Sequence, residues 1–289
     1  MGAPMIKRSF FKSIRLMATL LCLLAAANGG ALGLDHVQYP DLKGQWTRVL
    51  VPGRQPTFDP TKPGGLGQQA PLTQEYQHIF EANLAEMATG AGGIGGTYRC
   101  LSPGMPMVMQ AYSPMEIIVT PDATHIMIED VTGVHRRIYT DGRDWQTEVE
   151  LSTLGYSIGK WVDSDHAGKY DVLEVETRSF KGARVYDISG LPLHTDNESV
   201  IRERFYLDKA DPNVLHDQIT TIDHALTRPW TVIKNYRRNP NPRPFWREFI
   251  CAENNPHVLI GKEDYMLSAD GLLMPARKNQ SPPDLRYFK

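Results

Sequence analysis

The sequence has few cysteines, no excess of basic charge, and no long apolar run beyond its first 33 residues. Its 31 Lys and Arg residues are balanced by 33 Asp and Glu residues, whereas nucleic-acid binding needs a basic surface. No nucleic-acid partner is therefore expected. After residue 33 no segment approaches the ~18 consecutive apolar residues of a transmembrane helix, so we expect no stable membrane span there. Neither a Rossmann fingerprint, a phosphate-binding loop nor a haem motif is present, and no organic cofactor is predicted.

The first 33 residues have the pattern of an export signal. Four basic residues, the last of them Arg15, precede the apolar run from Leu16 to Ala27, and no acidic residue interrupts this region. A basic stretch followed by about 12 apolar residues is typical of a secretory signal peptide. The sequence therefore predicts a signal peptide over residues 1–33 and a periplasmic or secreted protein. A membrane anchor that stays attached is the alternative.

Without that segment the chain keeps two cysteines, Cys100 and Cys251. Because an exported protein enters an oxidising compartment, an even pair of cysteines favours a disulfide bond. The bridge would tie the first third of the domain to the last and contribute a few kcal/mol to its stability. Two buried free thiols are the alternative.

Residues 34–289 are predicted to form a single all-β domain with one amphipathic helix near its N-terminus. Thr73 is placed to cap the first turn of that helix, and Gly90 is placed to end it. The apolar stripe of the helix comprises Tyr76, Ile79, Phe80, Leu84 and Met87.

Most of the remaining chain consists of short runs with strand-like composition, separated by turn sequences. Because no helical pattern lies between them, a mainly antiparallel meander that closes into a barrel or sandwich is favoured. A barrel of about eight strands has room inside for one small ligand. The predicted strands are Glu116–Thr120, His125–Asp130, Arg136–Tyr139, Tyr156–Val162, Tyr170–Phe180, Ser199–Leu207, Leu215–Ile222 and Trp230–Arg237.

Three parts of the sequence resemble known proteins. Gly44-Gln45-Trp46 is similar to the short Gly-x-Trp first strand of lipocalin-type barrels. Gly155–Trp161, and Thr220–Asp223 together with Thr227–Thr231, resemble segments of a large, mostly uncharacterised family of exported bacterial proteins. The resemblance covers most of the chain after the predicted signal peptide and implies an exported, lipocalin-like β-barrel. It implies no activity, because one fold carries many functions.

Alternation along Ser199–Leu207 places one acidic residue among apolar ones. Glu203 shares a face with Ile201 and Phe205, which predicts that its carboxylate points inward. Arg228 is the predicted partner, because a guanidinium matches a carboxylate and a buried charge needs pairing. Trp230 would then form a flat wall against the ligand. A purely structural ion pair, with a packed Trp beside an Arg, is the alternative.

A second group of candidate residues lies in predicted loops on either side of two strands. His194 and Asp196 precede the strand that carries Glu203, and Asp223 and His224 follow the next strand. Together with Glu203 they could form an acid/base cluster at the mouth of the barrel, and Glu203, His194 and Asp223 are the candidate catalytic residues. A divalent ion could bind there too, but no tight motif such as His-Glu-x-x-His supports it.

The loop after the strand Tyr156–Val162 resembles a calcium-binding loop. Asp163, Asp165, Asp171 and Glu174 take four of the positions that carry oxygen ligands, with Gly168 at the turn. Ala167 supplies no oxygen at another of those positions, and the loop joins strands where the calcium motif joins helices. A simple hairpin turn is therefore favoured, and no metal is predicted beyond this weak calcium candidate.

Three hypotheses on function follow. The first is an exported β-barrel that binds a small, largely apolar or aromatic molecule in its interior. The second is a cofactor-independent acid/base enzyme, an isomerase, lyase or hydrolase, that uses the same cavity. The third is an envelope protein with a solid barrel. They differ in whether the interior has a cavity and in how many titratable groups converge on it.

Overall fold

The computed structural model describes residues 38–49, 70–89, 102–129, 133–187, 189–248, 257–268, 270–284 and 286. These residues belong to one compact unit that begins at Gln38. The expected signal peptide over residues 1–33, and the expected disulfide between Cys100 and Cys251, lie outside the described residues and stay predictions. Among the residues described, no helix has both the length and the apolar character needed to cross a membrane.

Nine strands of the described chain close into a barrel, which confirms the predicted all-β fold. Each strand pairs with its neighbours in sequence order, and β1 pairs with β9 to complete the closure. All of these pairings are antiparallel except that of β4 with β5. The strands are β1 Gln45–Arg48, β2 Met115–Val119, β3 Ala123–Ile128, β4 Val134–Tyr139, β5 Tyr156–Val162, β6 Val172–Arg178, β7 Val200–Leu207, β8 Val214–Ile222 and β9 Trp230–Arg238.

The strands form where apolar and polar residues alternate, because successive side chains of a strand point to opposite faces. In β8 every second residue from Leu215 to Thr221 is buried, while the residues between them are partly exposed. The predicted β5 has the observed bounds. The predicted Tyr170–Phe180 was too long at both ends, since β6 covers only Val172–Arg178.

The contact between β4 and β5 is the short parallel seam of the barrel. Only Ile138 with Ser157, and Tyr139 with Ile158, are paired there. The connection over residues 140–155 brings the chain back so that β5 runs parallel to β4. Gly155 at its end has a φ of +70°, and a Cβ there would lie 2.6 Å from the carbonyl oxygen of Arg178. The approach to β5 therefore requires a glycine.

Large apolar side chains from the inner faces of the strands pack into the main core. The short 3-10 helix Met107–Gln110 and its flanking residues add methionines to the same core. The indole nitrogen of Trp46 donates a hydrogen bond to the carbonyl oxygen of Leu42 at 3.0 Å, so its polar atom is satisfied. Members of the core with almost no exposure are Trp46, Met105, Val108, Met109, Met115, Ile126, Ile128, Ile138, Leu173, Phe180, Ile201, Leu215, Ile219 and Tyr236.

The predicted helix is present as α1, Gln74–Ala88, and Thr73 caps it by accepting a hydrogen bond from the backbone nitrogen of Tyr76. The predicted apolar stripe was wrong in part, because Ile79 and Leu84 are exposed. Asn83 is buried instead, and its side-chain nitrogen donates to the carbonyl oxygen of Gly190 at 2.9 Å. This polar contact orients the helix, and periodicity of apolar residues could not predict it.

A small three-stranded sheet near the C-terminus was not predicted. It consists of β10 His257–Ile260, β11 Glu263–Leu267 and β12 Leu273–Pro275, paired antiparallel in that order. These strands are short, and only Asp264 and Tyr265 in them are buried. They therefore lack the apolar alternation that marks the strands of the barrel.

Candidate functional site

Glu203 lies inside the barrel, as the alternation along β7 predicted. Its side chain is almost fully buried, and its partner is Arg136 of β4. The Nη1 atom of Arg136 donates to Oε1 of Glu203 at 2.7 Å, and Nη2 contacts Oε2. The two groups form the fork geometry that is typical of strong Arg–carboxylate pairs.

Arg136 reaches across two strands to make this pair. Its Nη2 atom also donates to the hydroxyl of Thr177 on β6 at 3.0 Å, and Ser157 on β5 lies 3.5 Å away. The hydroxyls of Ser157 and Thr177 are 2.9 Å apart. A continuous polar chain therefore connects β4, β5, β6 and β7 inside the wall of the barrel.

Arg228 is not the partner of Glu203, so that prediction was wrong. Arg228 precedes β9 in the loop after β8, is exposed, and its Nη1 atom lies 3.5 Å from the carbonyl oxygen of the neighbouring Pro229. Its position in the loop takes it off the inner face that holds Glu203. The alternation in β4, where Arg136 lies between the inward Val134 and Ile138, was the pattern that could have identified the partner.

Trp230 is buried, but another ring covers it. Its ring centroid lies 4.5 Å from that of Tyr186, and both residues belong to a second apolar cluster with Leu226 and Val232. Phe80 of α1 packs against the same cluster. Trp230 thus packs within this second apolar cluster. The flat face that was expected to contact a ligand is in contact with Tyr186.

A second pair of opposite charges lies on the inner face of β8 and β9. Asp217 and Lys234 are directly opposite in the register of these strands, and both are buried. The Nζ atom of Lys234 is 3.3 Å from the side-chain oxygen of Gln110 and 5.3 Å from the ring centroid of Tyr186. We call Arg136, Glu203, Asp217 and Lys234 the interior charge cluster.

Asp217 is the unusual member of the interior charge cluster. Its side chain has no exposed surface, and neither carboxyl oxygen accepts a hydrogen bond from a described residue. Burial raises the pKa of Asp217 well above its ordinary value, and the neighbouring charge of Glu203 raises it further. The Nε atom of Arg136 likewise has no hydrogen-bond partner among the described residues.

A separate group lies in the loops on either side of β7 and β8. Asp196 places one carboxylate oxygen 2.9 Å from Nδ1 of His194 and also in contact with Nδ1 of His224. The hydrogen bond with Asp196 raises the pKa of His224. Burial opposes ionisation of Asp196, but hydrogen bonds from the backbone of Glu198 and from His224 outweigh it and lower the pKa of Asp196. We call His194, Asp196 and His224 the mouth cluster.

Asp223 supports these loops. Its Oδ1 atom accepts hydrogen bonds from the backbone nitrogens of His194 at 2.9 Å and of Ala225 at 2.8 Å. Its Oδ2 atom accepts from the hydroxyl of Ser199, which in turn lies 2.6 Å from Nη2 of Arg184. His194 and Asp223 do come together as expected, but Glu203 belongs to the interior charge cluster, where it bonds to Arg136, and does not join them.

The candidate calcium loop holds three of its four predicted ligands together. Asp163, Asp165 and Asp171 each offer an oxygen within 4.8 Å of the others. Glu174 was wrongly included, because it lies on β6 and pairs with Lys160 at 3.1 Å. The carboxylate of Asp163 accepts hydrogen bonds from the backbone nitrogens of residues 167 and 168, at 2.9 and 2.8 Å. The loop connects the antiparallel strands β5 and β6 as a hairpin.

A cleft of about 510 Å³ lies on the outside of β5 to β8, with Trp145 at one side, and its lining also includes the buried residues Gly159, Val175 and Glu203. Its acidic residues are already paired, since Glu174 contacts Lys160 and Glu176 lies 2.7 Å from Arg202. Exposed pairs of this kind contribute little to stability. The interior charge cluster and the mouth cluster are therefore the stronger candidates for a functional site.

Comparisons with models of protein families, with curated proteins and with solved structures found no match.

Proposed function

We propose that the protein is exported and that its barrel binds a small molecule bearing a hydrogen-bond donor. The observation that carries this proposal is the carboxyl group of Asp217, which is fully buried and has no hydrogen-bond partner among the described residues. In proteins the large majority of buried polar groups are hydrogen-bonded. Leaving one unsatisfied costs about 1–3 kcal/mol. A ligand that donates to Asp217 removes that cost and gains affinity from it.

The surroundings of Asp217 define the class of ligand. Phe205 lies directly opposite Asp217 on β7, and Ile219 follows two residues later on the same face of β8. Glu203 is already bonded to Arg136, so it offers little to a ligand. The best fit is a small neutral molecule with one hydroxyl or amide group at Asp217 and an apolar or aromatic remainder.

A thermal-shift screen with neutral alcohols, amides and phenols tests this proposal. A compound that binds the folded state raises the melting temperature of the wild-type protein in a concentration-dependent way. Asp217→Leu should abolish that rise, because it removes both acceptor oxygens. Arg228→Met is the matched control and should keep the rise, since Arg228 lies outside the barrel wall. Equal shifts in Asp217→Leu and wild type would contradict the proposal, and a wild type without any shift would favour the solid barrel.

A second candidate, an acid/base enzyme, is favoured by one observation. Because burial raises the pKa of Asp217, this carboxyl keeps its proton at a pH where ordinary carboxyls have lost theirs, as a general acid requires. Any compound found in the screen should then be incubated with the protein and followed by proton NMR. Conversion that Asp217→Asn abolishes would identify an enzyme, whereas an unchanged compound would identify a carrier.

A further inference from the structure

We propose that the mouth cluster is a binding site for a divalent transition-metal ion of the zinc class. His194, Asp196 and His224 each offer one ligand atom, and these atoms all lie within 4.8 Å of one another. Two imidazole nitrogens and a carboxylate oxygen are a donor set that suits zinc, nickel and cobalt. The site is independent of the interior charge cluster and of the ligand proposed for it.

The spacing of the ligand atoms is close to what a metal ion needs. Around a tetrahedral zinc ion with bonds of about 2.0–2.1 Å, neighbouring ligand atoms are about 3.3 Å apart. Nδ1 of His194 and Oδ2 of Asp196 are 2.9 Å apart, and Oδ2 also contacts Nδ1 of His224. His194 and Asp196 therefore need to separate by about 0.4 Å to hold the ion, and the exposed ring of His224 has to move away from Asp196 by somewhat more.

The contacts at His194 already direct its Nδ1 atom toward Asp196. This ring nitrogen lies 2.9 Å from the carboxylate oxygen of Asp196 and 3.2 Å from its backbone nitrogen. A contact of 2.9 Å between an imidazole nitrogen and a carboxylate oxygen is closed by one proton. A metal ion takes the place of such a proton when it binds, because its ligands must be deprotonated.

The two loops that carry the proposed ligands are held together by the side chain of Asp223. Asp223 accepts backbone hydrogen bonds from His194 and from Ala225, which follows His224, so one carboxylate joins both loops. Ser199 and Arg184 hold that carboxylate in turn. On the other side the ring of Tyr76 packs 5.4 Å from that of His194. Supporting contacts of this type orient metal ligands, and losing one typically lowers metal affinity about 10–100-fold.

The mouth cluster is open to solvent on one side. The side chain of His224 is 63% exposed, whereas that of Asp196 is 24% exposed. Three protein ligands with an open side leave a coordination position for water or another small ligand, as in catalytic rather than structural zinc sites. In the acidic loop of Asp163, in contrast, both carboxylate oxygens of Asp163 already accept hydrogen bonds from loop nitrogens.

Isothermal titration of the tag-free, metal-stripped full chain with zinc chloride tests the site, and cobalt chloride adds a visible absorption spectrum that reports the coordination. Wild type should bind one tight equivalent of zinc. His224→Gln should weaken binding more than about 100-fold, since a ligand contributes more than a supporting residue. Asp223→Asn should weaken it less, by about 10–100-fold, without changing the number of ions bound.

The matched control is His125→Gln. His125 and His135 form a stacked pair on neighbouring strands, with ring nitrogens 2.8 Å apart, and could also collect metal ions. His125→Gln should keep the tight equivalent of zinc. Loss of that equivalent in His125→Gln, or its retention in a folded His224→Gln, would overturn the proposal. The circular dichroism spectrum of each variant verifies that it is folded.

Discussion

Four ionisable side chains meet inside the barrel, and the energy that each contributes depends on its partners. Removing an ion from water costs several kcal/mol, which is offset only where the geometry of the pair is good. Glu203 and Arg136 meet this condition through two direct contacts and the hydroxyl of Thr177. Asp217 does not, and its raised pKa is the physical consequence.

A double-mutant cycle should measure the coupling between Glu203 and Arg136. We expect Glu203→Gln and Arg136→Met each to lower the free energy of unfolding by about 3–5 kcal/mol, because each leaves a buried charge unpaired. The double variant should lose less than the sum of the two, by about 1–3 kcal/mol. Denaturant unfolding provides the measurement.

The control cycle replaces Arg136 by Arg228. Since Arg228 is exposed and does not contact Glu203, Glu203→Gln and Arg228→Met should be additive within about 0.5 kcal/mol. Additivity in the Arg136 cycle would mean that the buried pair is not formed in solution.

Asp217→Asn should change how stability depends on pH. In the unfolded chain this carboxyl loses its proton near pH 3.8, whereas in the barrel it keeps the proton to higher pH. Above pH 3.8 the folded state therefore binds the extra proton, and wild-type stability falls as pH rises through the folded-state pKa. Because Asn does not titrate, the free energy of unfolding of the variant should rise relative to that of the wild type as pH increases. Urea unfolding from about pH 4 to about pH 8 should show that the difference in free energy of unfolding between the variant and the wild type changes steadily in favour of the variant. A difference that stays constant over this range would refute the raised pKa.

At the scale of the elements, the sequence was informative where alternation of residues decides the structure. β5 was predicted with its observed bounds, and the inward direction of Glu203 followed from β7 alone. The partner Arg136 was missed because it depends on how β4 lies beside β5, which is a parallel contact made after a connection of 16 residues, 140–155. Alternation in β4 marks Arg136 as inward-facing, but no local pattern shows that β4 lies close enough to β7 for Arg136 to reach Glu203.

The mouth cluster also shows that a sequence pattern can identify candidate residues in loops without showing how they are arranged. The sequence identified His194, Asp196 and His224 as candidates, and they do come together. What brings them together is the side chain of Asp223, which bonds the backbone of both loops. Such side-chain to backbone contacts have no periodicity, so the arrangement of the site could not be derived before the structure.

Gly155 should be irreplaceable at the start of β5. A Cβ at this position would meet the carbonyl oxygen of Arg178 and the ring of Phe180, each at 2.6 Å. Gly155→Ala should therefore add about 1–3 kcal/mol of steric cost to about 1–2 kcal/mol for the left-handed backbone. Gly168→Ala is the control, since Gly168 has a similar φ of +80° and open space around it. Equal melting temperatures for the two variants would contradict this account.

For the whole molecule, the expected disulfide bond between Cys100 and Cys251 stays a prediction. Titration of the exported protein, unfolded without reductant, should find no reactive thiol, and the reduced protein should show two. The bridge would constrain the unfolded chain over a long loop and so raise the melting temperature. Two reactive thiols in the unreduced protein would refute both the bridge and its contribution to stability.

The parallel seam has a consequence for how the barrel exchanges its amide hydrogens with solvent. β7 and β8 share eight residue pairs, whereas β4 and β5 share two. Local opening costs least where few backbone bonds must break, so the barrel wall should open first at this seam and at the contact of β1 with β2, which also has two residue pairs. Arg136 spans the seam with bonds to Thr177 and Glu203 on its far side. The buried guanidinium thus replaces missing backbone pairing, and the side chain that neutralises Glu203 also keeps the wall of the barrel closed.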